Sequence, residues 1–175
     1  MIVTDLRKML REVPDFPKPG ILFYDVTTLF RNADSFRCAV DRMVERYRGE
    51  KFDAVAGIEA RGFVLAAAMA YRLGTGLVLI RKPGKLPARC EREEYALEYG
   101  SNTIEIHADA VEHGQRILIA DDVLATGGTA AAAGRLVGRL GGHVEGYAFL
   151  VELGFLNGRA GLGHDAVFSL IHIDG

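Results

Sequence analysis

Asp121 and Asp122 are adjacent carboxylates, and Thr126-Gly127-Gly128-Thr129 follows them closely in the chain. Carboxylates accept hydrogen bonds from the vicinal hydroxyls of a ribose, and they also hold a hydrated Mg2+. The glycine pair lets the backbone approach an anion, and Thr126 and Thr129 add hydroxyl donors. The alanine-rich residues 130–140 read as a helix whose unpaired N–H groups and dipole favour negative charge at its start. A diol acceptor just before a phosphate cradle is a seat for ribose 5-phosphate. Two common nucleotide loops do not fit. A Walker loop needs a lysine where Gly128 stands, and the spaced glycines of a dinucleotide fold are missing. An acid pair alone is also what a solvated strand end carries, so the constellation matters more than the pair.

Asp-Asp-x-Leu-Ala-Thr-Gly-Gly-Thr at residues 121–129 resembles the phosphoribosyl-diphosphate (PRPP) motif of type I phosphoribosyltransferases, in the form typical of adenine phosphoribosyltransferases. The resemblance extends over essentially the full chain. It implies purine salvage in the cytoplasm: adenine and PRPP give AMP and pyrophosphate, with Mg2+ held mainly through PRPP, pyrophosphate and water. Asp121, Asp122, Ala125, Thr126, Gly127, Gly128 and Thr129 would then bind the ribose phosphate. Arg61, Lys82 and Lys85 would face pyrophosphate. The run Phe-Pro-x-Pro-Gly-x-x-Phe, from Phe16 to Phe23, looks like the family's adenine-binding segment. It implies that Phe23 stacks on the base while backbone groups of Leu22 and Tyr24 read its edge; many relatives carry Arg where Tyr24 stands. Leu156 is the candidate apolar contact to the base, and Glu98, in Leu-Glu-Tyr-Gly, the candidate proton-transfer residue. Ala125 replaces the Asp of hypoxanthine-guanine enzymes, which argues against 6-oxopurines. Another purine base and a non-catalytic PRPP-binding regulator remain the alternatives.

These residues need a scaffold. Residues 117–120 read as a strand buried on both faces, ended by the acid pair. Residues 52–58, 76–81, 144–153 and 167–173 read as further strands, and 102–107 as a strand by alternation. Helices are expected over 35–48, capped by Asp34 or Ser35, and over 63–73, ended by Gly74. Strands alternating with helices predict an α/β fold with a mostly parallel central sheet, which binds ligands beyond the carboxyl ends of its strands. Arg61 lies at such an end, on a turn over 59–62. Alone it reads as a surface arginine; beside a polyanion it suits bidentate pairing. Arg81, Lys82 and Lys85 read either as a solvated turn or as a polyanion contact.

At the N-terminus, Thr4 is expected to cap a helix over 5–13, with Leu6, Met9, Leu10 and Val13 on one stripe. The prolines of 14–20 dictate an extended loop, and 21–24 reads as a strand or hood segment. Residues 89–94 are highly charged without periodicity and read as an exposed loop; the resemblance implies that it is mobile and closes over the site. The whole chain is expected to form one domain, with about 14–30 contributing a hood over the base.

The 175 residues suffice for one full core. A net charge of −2 without a basic block gives no support to nucleic-acid binding. Cys38 and Cys90 show no metal or redox spacing, and the histidines make no ligand cluster. The N-terminal residues lack the apolar core of a signal peptide, and the longest apolar run, 63–71, is far short of the ~20 residues of a membrane span. The expectation is a reduced, soluble intracellular protein without a membrane partner. The resemblance adds a homodimer.

Overall fold

A computed structural model describes residues 5–96, 101–163 and 166–174. Its centre is a five-stranded sheet built from β3 (Ala54–Ile58), β4 (Gly76–Ile80), β7 (Arg116–Leu124), β8 (His143–Leu153) and β9 (Val167–Ile173). The spatial order is β4-β3-β7-β8-β9, and every neighbouring pair is parallel. Both faces are covered, as an all-parallel sheet requires. On β7, Ile117 and Ile119 point into one core with Ile58, Ile106, Leu136 and Phe149. Leu118 and Ala120 point into the other, with Val55, Leu65, Met69 and Leu150. Helices α2 (Ala33–Glu45) and α3 (Gly62–Leu73) cover the second face, and α4 (Gly128–Arg139) covers the first.

Two antiparallel hairpins flank the sheet: β1 (Arg11–Pro14) with β2 (Leu22–Asp25), and β5 (Cys90–Ala96) with β6 (Ser101–His107). A short helix α1 (Thr27–Arg31), not anticipated from sequence, links β2 to α2. Gly74 ends α3 in the left-handed region at φ 69°, as its sequence position predicts.

Several expectations change. The helix over 5–13 is instead a 3-10 turn at Arg7–Met9 followed by β1. Leu6 is buried, but Val13 pairs with Phe23 and Arg11 with Asp25 across the hairpin. Pairing with β2 outweighs the helical stripe, which Pro14 would have cut short anyway. Thr4 lies outside the described residues. The cap of α2 is Asn32, whose side chain accepts from Ser35 N at 2.9 Å, rather than Asp34 or Ser35.

The charged residues 89–94 belong largely to a strand, not a loop. Glu93 bonds Arg135 and Arg139 of α4, and Arg92 bonds the buried Glu105 at 2.7 Å. The charges that hid a strand pattern are those that fasten β5 to its neighbours. Finally, β7 does not stop at the acid pair. It continues to Leu124 beside β8, while its pairing with β3 ends at Ala120. Asp121 and Asp122 therefore sit where β7 outruns β3.

Candidate active site

The order β4-β3-β7-β8-β9 reverses direction between β3 and β7, and ligand crevices of open α/β sheets form at such a switch point. A cavity of about 860 Å3 lies there. Its walls come from the ends of β3 and β7, the β2 hairpin strand, the turn after β4, the β5–β6 ribbon and the segment after β8. Asp121, Asp122, Arg61, Lys82, Leu22, Phe23, Tyr24, Ala125, Thr129 and Leu156 all line it.

The acid pair is asymmetric. Asp122 is 5% exposed and forms an ion pair with the Arg61 guanidinium. Asp121 accepts from the Asp122 backbone N–H, at 2.9 Å. Burial, and then the Asp122 charge, hold the Asp121 carboxyl well above the usual carboxylate range. Gly62, the first residue of α3, permits this geometry: a Cβ there would stand 2.6 Å from Asp121 Oδ1.

Thr126, Gly127 and Gly128 line a smaller cavity of about 70 Å3 that adjoins the first through Asp121, Val123, Ala125 and Thr129. Gly127 caps α4 at φ 82°, a conformation that glycine adopts without strain. The α4 amino end thus opens directly onto the small cavity, a backbone donor arrangement suited to an anion. The Thr129 hydroxyl donates to Tyr95 Oη at 3.0 Å.

On the opposite side, the Phe23 ring meets Phe16 edge-on at 5.1 Å, and the Arg61 guanidinium lies 5.7 Å from the Phe23 centroid. Arg61 therefore touches the aromatic wall and the acid pair together. Leu156, 39% exposed, completes the apolar side of the cavity.

The basic run splits. Lys82 lines the cavity, but Lys85 does not; Lys85 is exposed, and its carbonyl accepts from Arg81 Nη1 at 3.1 Å. The Arg81 guanidinium is engaged by Glu59, with Nε–Oε2 and Nη2–Oε1 both 3.1 Å, and the same carboxylate accepts from Lys82 N at 3.0 Å. Arg81 lowers the Glu59 pKa accordingly. Glu105 Oε2 accepts from Gly84 N at 3.0 Å, so the turn is fixed from two directions.

Sequence reasoning missed Glu59, Tyr95 and Asn102 as cavity residues. Glu59 had a usable signal, since it lies two residues before Arg61 at the same strand end. Tyr95 and Asn102 had none, because they face each other on a ribbon whose first strand resembled a loop. Glu98 lies outside the described residues.

Among the described residues no group of three or more His, Cys, Asp or Glu side chains is arranged to hold a metal ion. Asp121 and Asp122 offer oxygen donors only, and Arg61 balances one charge of the two. Such a donor set suits a hard cation carrying its own water or ligands.

Known proteins share this sequence and fold. The family model "Phosphoribosyl transferase domain" matches residues 28–160. The adenine phosphoribosyltransferase of Solibacter usitatus is 57% identical over 173 residues, spanning 98% of this chain and 99% of that one. The crystal structure of adenine phosphoribosyltransferase from Thermoanaerobacter pseudethanolicus is 50% identical, with a TM-score of 0.94 over 96% of this chain and 98% of the other. The Saccharomyces cerevisiae enzyme, solved with an imino-altritol bisphosphate and adenine, is 42% identical at a TM-score of 0.88, covering 94% of this chain and 96% of its own. The chain belongs to the adenine phosphoribosyltransferase family, within the type I phosphoribosyltransferases.

Proposed function

We propose that this protein transfers the 5-phosphoribosyl group of PRPP to adenine, giving AMP and pyrophosphate. The observation that carries the proposal is a pair of adjoining cavities that together offer three chemically distinct parts: a backbone-lined anion cradle, an acid pair and an aromatic-apolar wall. In this reading Ala125, Thr126, Gly127, Gly128 and Thr129 hold the 5-phosphate, and Asp121 and Asp122 accept from the ribose hydroxyls. Arg61 and Lys82 neutralise pyrophosphate. Lys85, turned away from the cavity here, serves the same anion only after a change in the 81–85 turn. Phe23 stacks on adenine, backbone groups of Leu22 and Tyr24 meet its edge, and Leu156 packs on its face.

The C1–O bond to pyrophosphate breaks as adenine N9 forms the new bond to C1 from the opposite side, and the N9 proton departs. The breaking bond leaves positive charge on the ribosyl carbon, by analogy with glycoside cleavage. Carboxylates near that carbon and cations near the leaving group stabilise both charges, and the remainder is positioning. Arg61 must exchange part of its Asp122 contact for pyrophosphate as PRPP enters. Glu98 manages a purine-ring proton. Asp121 and Asp122 are the residues that would hold a hydrated Mg2+ brought in with PRPP, and the ion would supply charge to offset pyrophosphate.

The reaction is that of a cytoplasmic salvage enzyme acting as a homodimer. The exposed apolar residues Val64, Tyr71, Leu77 and Leu79 support the second copy. Among the described residues no helix is long and apolar enough to cross a membrane.

The test supplies purified protein with PRPP, Mg2+ and one base at a time. AMP formation confined to adenine is the expected result. Equal turnover of hypoxanthine or guanine overturns the base assignment. PRPP binding without turnover of any base points to a regulator instead.

A further inference from the structure

The segment after β8 carries more than Leu156. It forms two 3-10 turns, Gly154–Leu156 and Gly158–Leu162, joined by Asn157 in the left-handed region at φ 50°. The first turn presents Leu156 to the large cavity. The second lies against the phosphate loop with no room between them. A Cβ on Gly158 would stand 2.2 Å from the Ala125 carbonyl oxygen, and a Cβ on Gly127 would stand 2.3 Å from the Gly158 carbonyl oxygen. Backbone meets backbone, so a shift of either strip moves the other.

An ion pair holds the seam closed. Glu152 is 6% exposed and lies outside the roles assigned above. Arg159 grips it with two hydrogen bonds of 2.6 Å, Nε to Oε1 and Nη2 to Oε2. The same guanidinium reaches β9, with Nη1 donating to the Val167 carbonyl at 2.8 Å. His172 Nδ1 lies 3.3 Å from Glu152 Oε2. Bidentate pairing fixes direction as well as distance. The second turn is thus fastened to β8 and β9 on one side and wedged on residues 125–127 on the other, and Asn157 alone separates it from the turn that bears Leu156.

We propose that Glu152, Arg159 and Gly158 are positioning residues that couple the base wall to the phosphate cradle, so that filling the cradle sets Leu156 for adenine. The inference rests on the adenine phosphoribosyltransferase reading above. An anion drawing the 125–129 loop toward its N–H groups moves the Ala125 carbonyl, and Gly158 follows because the two backbones share one surface. Arg159 restricts that motion to a small displacement of the second turn, which Asn157 passes to the adjoining turn that carries Leu156. Coupling of this kind is reciprocal: adenine must raise ribose 5-phosphate affinity by the same factor.

The test is calorimetric titration of the full-length protein with adenine, with and without saturating ribose 5-phosphate. Wild type is expected to bind adenine about tenfold more tightly with the cradle filled, within the usual range for coupled sites. In Arg159→Met and Gly158→Ala the gain should fall to about twofold or less, with KM for both substrates raised more than kcat is lowered. Arg159→Lys, which keeps the charge, should recover part of the coupling. Gly158→Ala keeps both partners of the ion pair and instead forces apart the backbone contact with Ala125, so it decides the matter if Arg159→Met does not fold. Wild-type coupling in a folded Gly158→Ala, or no coupling in a wild-type protein that turns over adenine normally, overturns the inference. Failure of wild type to make AMP from adenine overturns the underlying reading instead.

Discussion

Neighbouring in sequence, Asp121 and Asp122 have different electrostatic surroundings. Asp122 has a guanidinium against it, whereas Asp121 is close to Asp122 and to the packed start of α3. An acid whose pKa is raised on folding binds its proton more tightly in the native state. Ionising Asp121 therefore costs stability as pH rises from the ordinary value of 3.8 toward the higher folded value. Asp121→Asn removes that cost. Its Tm should exceed that of wild type by about 2–4 °C near neutral pH, the shift that ~1 kcal/mol produces in a chain of this size. The gain should close as pH falls toward the carboxylate range, and PRPP KM should rise in the same variant. Calorimetric scans across pH check the first part and steady-state kinetics the second; a gain that widens toward low pH reverses the sign of the argument. In the proposed reading the site gives up stability for a charge held against the ribose. Ala125 acts in the opposite manner, through what it lacks. It brings no carboxylate to the cavity, and its backbone carbonyl is the surface on which Gly158 rests.

The elements divide by how their residues are buried. β3, β7 and β8 are buried on both faces, so they appear as continuous apolar runs and were legible. β1 and β5 are short hairpin strands whose charged side chains mask alternation. Each is held by ion pairs that only the folded chain assembles: Arg11 with Asp25, and Glu93 with Arg135 and Arg139. Arg11 lowers the Asp25 pKa to about 2, a mark of that pairing. Of the site, the acid pair and the glycine loop were legible because residue type and spacing carry their chemistry locally, whereas Phe23 entered through the family resemblance alone. Lys85 could not be separated from Lys82 in that way, since Glu59 and Glu105, distant in sequence, decide which side of the turn faces the cavity. Glu59→Gln tests that control. Gln has one acceptor oxygen where the carboxylate offers two, so Arg81 and Lys82 N can no longer both be held as they are. PRPP KM should rise about tenfold with a smaller change in kcat, the pattern of lost ground-state binding. An unchanged PRPP KM removes Glu59 from control of the turn.

At the scale of the molecule, the switch between β3 and β7 creates the crevice, and the open edge at β4 sets the remaining question. Leu77 and Leu79 lie opposite Val55 and Gly57 in the β3–β4 register, and therefore on the α3 side of the sheet. They are 44% and 39% exposed, while Val64 and Tyr71 of α3 are 42% and 86% exposed. Burying the part of such a leucine that is still exposed is worth about 1 kcal/mol, so this apolar face favours a covering partner. In the proposed homodimer a second copy would cover it with the same face by two-fold symmetry, the commonest arrangement of homo-oligomers. The geometry has a catalytic consequence, because β4 leads directly into Arg81, Lys82 and Lys85. A partner packed along β4 fixes the strand that delivers the basic turn, although the cavity is already formed by one chain. Leu77→Asp with Tyr71→Asp should therefore give a folded monomer with raised PRPP KM. Sedimentation velocity should show twice the chain mass for wild type and a single chain mass for the variant. A variant that remains dimeric moves the interface elsewhere, and a monomer with unaltered PRPP KM separates the basic turn from the dimer.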